Sequence, residues 1–212
     1  MRITIFGAAG QAGSHTVAEA LDRGHRVTAV LRTPDRAREI PRAAEVRIGD
    51  AANPEDVADL ADGQDLVISA TRPAAGRESE LITTATGLTA ATARTGTRLL
   101  LVGGAATLTV PGTGGVTVMD EPGFPESLHA IARACADQLA VCRAATGTDW
   151  TYLSPPAQLH NGARTGRYRL GRDALVVDRH GRSALSYADL AVVLLDEAER
   201  SAHRGMRFTA AY

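Results

Sequence analysis

The sequence predicts an α/β fold, one doubly wound parallel sheet with helices on both faces, and three observations point there. The chain opens as an apolar strand that runs into a glycine-punctuated turn, Gly7-Ala-Ala-Gly10-Gln-Ala-Gly13. Strand-like and helix-like patterns then alternate along its length. Its 212 residues, 44% of them hydrophobic, suit one continuous core and a single domain spanning 1–212.

Ile3, Ile5 and Phe6 supply the first buried strand, and a helix follows over roughly Ala12 to Asp22. Arg26 to Leu31 reads as the second strand, Pro34 to Glu39 as a short helix and Glu45 to Ile48 as the third strand. Asn53-Pro54 starts the next helix, with Asn53 as its cap and Pro54 in the first turn. Asp65 to Ala70 makes a fourth strand, Ser79 to Arg94 a helix, and Arg98 to Val102 a fifth strand. Right-handed crossovers between these strands complete one nucleotide-binding half and begin the second.

The later part is less regular. A helix over Pro125 to Ala145 leads to a strand at Asp149 to Leu153, stopped by Ser154-Pro155-Pro156. Gly162 to Arg172 reads as a loop with a short hairpin, continuing into Leu175 to Asp178 and a His180-Gly181 turn. Ser186 and Asp189 resemble a capping box for a helix over Tyr187 to Arg200, and Arg207 to Ala210 closes as a strand. Residues 155–186 form a small C-terminal substrate region, with Pro155 to Arg172 as the candidate lid, because open α/β sheets bind ligands beyond their strand ends.

Composition narrows the partners. A net charge of −1 provides no basic field for nucleic acid and no polybasic patch for a membrane, so a small-molecule acceptor is the expected partner of a monomer or homodimer. All 23 basic residues are arginines, which removes any mechanism that needs a lysine amine. Cys135 and Cys142 lie seven apart in a helical pattern, about 10 Å, too far for a disulfide. They read as core thiols of a reducing compartment, and no metal-ligand spacing surrounds them. Met1 leads directly into the first strand and no apolar run reaches membrane-spanning length, so the expected location is the cytoplasm.

The opening motif specifies a ligand class. Gly7 permits the tight turn, Gly10 lets phosphate oxygens approach the backbone, Gly13 lets the helix lie close to the sheet, and Ala9 and Gln11 fill out the loop. Such a strand–turn–helix cradles the pyrophosphate of a dinucleotide on the unpaired amides of the helix start. NAD-selective sites usually carry an acidic residue at the end of the second strand; this chain has Leu31-Arg32-Thr33-Pro34-Asp35-Arg36. Arg32, with Thr33 or Arg36 behind it, can pair with a 2′-phosphate, which favours NADP(H) over NADH; otherwise Arg32 begins a solvated loop. Ala70, Thr71 and Arg72 follow the fourth strand, where they would skirt the nicotinamide ribose, with Arg72 either on phosphate or capping a helix end.

The spacing Gly7-x-x-Gly10-x-x-Gly13, Ile48-Gly49-Asp50 after the third strand and Val102-Gly103-Gly104 after the fifth resemble the atypical short-chain dehydrogenase/reductase superfamily. With the tail Asp149-Trp-Thr-Tyr-Leu-Ser-Pro-Pro, Gly166-Arg-Tyr168, Asp178-x-x-Gly181-x-Ser183 and Arg207-Phe-Thr, the chain is similar to its NADH-flavin reductase group, relatives of biliverdin reductase B and NmrA-like proteins. The resemblance implies a Rossmann-like domain, Asp50 on the adenine amino group, Gly103 beside the coenzyme, and a flavin as a conceivable substrate.

Catalysis is less determined. The superfamily's Tyr-x-x-x-Lys pair cannot exist without lysine; His129-x-x-x-Arg133 is either a substitute or an ordinary surface pair. Thr107, in Gly103-Gly104-Ala105-Ala106-Thr107, either orients a substrate oxygen or serves as a turn hydroxyl. His160 is the titratable group of the lid, a proton donor or a loop histidine without function. Hydride transfer to a flavin or quinone asks mostly for positioning, so Phe124, Trp150, Tyr152 and Tyr168 are candidates for a ring-stacking wall, with core burial the expected role of Trp150 and Tyr152. Two other functions fit: an NmrA-like redox sensor that binds NADP(H) without turnover, and an isomerase, epimerase or dehydratase that uses the nicotinamide internally.

Overall fold

The computed structural model describes residues Met1–Tyr212. Strands β1 (Arg2–Phe6), β2 (Arg26–Leu31), β3 (Glu45–Ile48), β4 (Leu66–Ser69), β5 (Arg98–Val102) and β6 (Trp150–Ser154) alternate with helices α1 (Gln11–Asp22), α2 (Pro54–Ala61), α3 (Glu80–Thr95) and α4 (His129–Ala144). The short β7 (Gln158–His160), β8 (Arg169–Gly171) and β9 (Ala184–Ser186) precede α5 (Tyr187–Arg200) and β10 (Met206–Ala211). The eight-stranded sheet runs β3-β2-β1-β4-β5-β6-β10-β8. Every neighbouring pair is parallel except β10 with β8. This is the doubly wound, Rossmann-like α/β arrangement, with the crevice expected where crossovers diverge on either side of β1 and β4.

Strand alternation sorts the core into two layers. On one side Ile3, Ile5 and Leu100 pack with Val17 and Ala20 of α1 and Leu190 and Leu194 of α5. On the other, Phe6, Leu99 and Leu101 pack with Val57 of α2, Leu88 of α3 and Leu139 of α4. Leu99, Leu100 and Leu101 are fully buried, each contributing about 2 kcal/mol by removal from water. The buried Arg98 fastens the end of α5 to this sheet through Glu197 Oε1 at 2.6 Å, with Thr151 Oγ1 at 3.1 Å.

Several sequence expectations change in detail. The helix expected from Pro125 begins as a 3-10 turn at Glu126–Leu128 and becomes α-helical only at His129. Gly162 to Arg172 forms no hairpin of its own: Arg169–Gly171 adds antiparallel to the far end of β10. The continuation through Leu175 to Asp178 has no regular structure, and its Leu175 N–H bonds to Thr109 O across a loop. The turn before Gly181 is present, closed by Asp178 Oδ1, which accepts from His180 N and Arg182 N. Ser186 does cap α5 by accepting from Asp189 N, but Asp189 does not return the bond. Its carboxylate accepts from Thr165 N, Thr165 Oγ1, Gly166 N and Tyr212 Oη. Both cysteines are free thiols on α4. No helix is long and apolar enough to cross a membrane.

Candidate functional site

The carboxyl ends of β1, β2, β4 and β5 open into a cleft of about 830 Å³. Its centre is the junction of β1 and α1, where backbone lies against backbone. Gly7 takes φ +75°, and a Cβ on it would stand 2.6 Å from Ala70 O. A Cβ on Gly13 would stand 2.0 Å from Gly7 O, so only glycine lets α1 start this close to the strand. Gly10 N–H closes the turn onto Gly7 O at 2.9 Å, and Ser14 N–H is the first to bond back, to Gly10 O. No side chain caps α1, which leaves its first amides for an anion. A cradle without side chains, ending in unpaired N–H groups, fits a pyrophosphate.

One end of the cleft carries Arg32, Thr33 and Arg36. Arg32 has only a loose contact with Glu80, 3.9 Å, and is mostly exposed. Arg36 ties the glycine loop to the 3-10 turn after β2, donating to Ala9 O at 2.7 Å and pairing with Glu39. Asp50 spends Oδ1 on Ala52 N, the mark of an Asx turn, and lies on the same wall. Beyond the glycine loop come Ala70, Thr71 and Arg72 after β4 and Gly103 after β5. Thr71 Oγ1 lies 3.0 Å from Ser69 Oγ. Of the residues that the sequence singled out for coenzyme, Gly13 alone is not on the cleft surface; it works underneath, by letting α1 approach.

The three residues singled out for chemistry are not brought together. Thr107 Oγ1 accepts from Arg207 at 2.7 Å, and that arginine also holds Asp173. His129 packs edge-on to Phe124 at the start of α4, centroids 5.0 Å apart. His160 is exposed; its neighbour Leu159 lines the cleft, while His160 borders a second hollow with Asp178 and Arg182. None of the three lines the main cleft. Trp150 and Tyr152 are buried in the core, and Tyr168 bonds Asp196 at 2.5 Å. Burial and that carboxylate push the Tyr168 phenol up to about 12.

Residues not singled out complete the far end: Ile131, Cys135 and Gln138 of α4, with Pro155, Leu159 and Tyr187. Their positions depend on which face of α4 meets the sheet, which the weakly amphipathic sequence does not mark. Helical spacing from Gln138 back to Ile131 was the available signal. Tyr152 lies beneath Gly103, where a Cβ would come within 1.9 Å of the phenol ring.

The model of the NAD(P)H-binding family matches residues 7–200. The chain belongs to the NAD(P)H-binding family. It is 35% identical to the uncharacterised protein YwnB of Bacillus subtilis over 211 residues, 99% of this chain and 97% of that one. Among solved structures it is similar to a candidate NADH-flavin reductase of Streptococcus pneumoniae, 32% identical, TM-score 0.88, covering 100% of this chain and 99% of the other. A candidate epimerase of Bacteroides thetaiotaomicron matches at 35% identity and TM-score 0.90, covering 100% and 96%. The cleft of this NAD(P)H-binding chain lies where such folds bind a dinucleotide.

Proposed function

We propose that the protein is an NADPH-dependent reductase acting on a flavin, quinone or similar planar conjugated acceptor. The observation that carries this reading is the make-up of the two cleft ends: exposed Arg32, with Thr33 and Arg36, at one, and an uncharged α4 face at the other. In the family, the bound nicotinamide coenzyme supplies a hydride. The loop from Gly7 to Gly13 holds its diphosphate on backbone amides. Arg32 and Arg36, with the Thr33 hydroxyl, take the 2′-phosphate, and Asp50 accepts from the adenine amino group. Ala70, Thr71, Arg72 and Gly103 border the nicotinamide half. Ile131, Leu159, Pro155 and Tyr187 exclude water from a flat ligand laid against it. A conjugated acceptor needs alignment more than acid–base catalysis, so the reading does not depend on Thr107, His129 or His160. Residues 155–186 then serve as the substrate-side border.

Arg32→Ala tests the coenzyme end: NADPH affinity should fall at least about tenfold while NADH affinity stays nearly constant, because only NADPH offers the phosphate. Equal losses for both coenzymes in a calorimetric titration would remove the assignment. The epimerase name of the Bacteroides relative supports a second reading, internal use of the nicotinamide. Coenzyme that copurifies and is never consumed during conversion of a substrate would select it.

A further inference from the structure

The cleft wall furthest from Arg32 is one stripe of α4. Ile131, Cys135 and Gln138 stand at i, i+4 and i+7, so they share a helix face, and all three line the cleft. The first two bring no charge: Ile131 is a hydrocarbon, and burial pushes the Cys135 thiol up to about 11, leaving it protonated at neutral pH. Gln138 differs. It is 1% exposed, its Oε1 lies 3.0 Å from the Tyr152 hydroxyl, and its Nε2 has no hydrogen-bond partner. Five buried side-chain atoms in the protein lack a partner, and only this one belongs to a residue of the cleft wall. A buried donor without a partner is destabilising, so its persistence in a binding cleft points to a ligand that meets it.

The amide oxygen faces the Tyr152 hydroxyl. Tyr152 carries one proton, within reach of Gln138 Oε1 and of Cys135 O at 3.1 Å, and burial raises this phenol well above its ordinary value. With the Tyr152 hydroxyl donating to the amide oxygen, the amide nitrogen is the group left without a partner.

We propose that Gln138 is the specificity-determining donor of the acceptor site, giving an Nε2–H hydrogen bond to a carbonyl oxygen of a planar conjugated ligand, with Tyr152 as its positioning residue. This rests on the reading of the cleft as a coenzyme-plus-acceptor site. A neutral amide transfers no proton, so the group it recognises is a carbonyl already conjugated to the reducible system, as in an isoalloxazine or a quinone. A site built to donate to such an oxygen discriminates strongly against analogues that lack it.

The test is a titration of nucleotide-free protein, saturated with NADP⁺, with riboflavin and with a naphthoquinone, followed by fluorescence quenching. Gln138→Leu should weaken both ligands at least about tenfold, leave NADP⁺ affinity within about twofold, and raise or preserve the melting temperature of the free protein, since it deletes an unmet polar group. Gln138→Met, which keeps the side-chain length but has no hydrogen-bond donor, should lose the ligands as fully. Tyr152→Phe should give a smaller loss of the same kind. Riboflavin bound equally by wild type and Gln138→Leu, or retained by Gln138→Met, overturns the assignment and leaves the reductase reading standing. Parallel loss of NADP⁺ also overturns it. Wild type that takes up NADP⁺ but neither carbonyl ligand overturns both.

Discussion

At the junction of β1 and α1, shape comes from backbone lying against backbone: Gly13 faces Gly7 O and Gly7 faces Ala70 O. Residues 161–172 are held in the opposite manner, by polar side chains reaching far along the sequence. Arg164 pairs with Glu19, 145 positions away, at 2.7 Å. Tyr168 bonds Asp196, and the buried Asp189 collects Thr165, Gly166 and Tyr212. The first region is rigid because nothing else fits. The second relies on paired polar groups, together with the β8–β10 ladder at Arg169–Gly171.

That contrast can be broken at either end. The largest effect is expected from Gly13→Ala, because its methyl group would overlap a carbonyl that cannot move without shifting β1. A loss of about 3 kcal/mol or more in denaturant unfolding, together with loss of coenzyme binding, is the expected result. Next comes Asp189→Ala, which strips the carboxylate from its four donors and should cost about 2–3 kcal/mol. Burial alone would raise the Asp189 pKa, but hydrogen bonds from Tyr212, Thr165 and Gly166 outweigh it and hold the group below the ordinary carboxylate range. Its stabilisation is therefore complete above the unfolded-chain value of about 4 and fades as pH falls through the lower folded value. The gap between wild type and Asp189→Ala should accordingly close in strong acid, and a gap that stays constant down to pH 2 would contradict it. The smallest effect is expected from Arg164→Ala: an exposed arginine is lost, global unfolding scarcely changes, and limited proteolysis between 161 and 167 accelerates.

The same contrast explains what the sequence disclosed. The order of strands and helices to residue 154, the caps Asn53 and Ser186, and the cleft position of Arg32, Thr33, Arg36 and Asp50 follow from local spacing, and local spacing is legible. The pairing of Arg169–Gly171 with β10, the parallel contact of β7 with β9, and the four donors on Asp189 depend on tertiary neighbours that no short window contains. At the site, the visible polar letters Thr107, His129 and His160 drew attention, whereas the cleft wall is built from the quieter Ile131, Cys135 and Gln138. Titratable residue types stand out in a sequence, but the direction a helix face points is decided by packing.

The ring of Tyr152 occupying the space above which Gly103 sits ties two distant positions into one unit of variation. A side chain at 103 would collide with the aromatic ring at 152, whose hydroxyl meets the amide of Gln138. Positions 103 and 152 should therefore vary together, so any redesign of the cleft floor should diversify 103, 138 and 152 jointly.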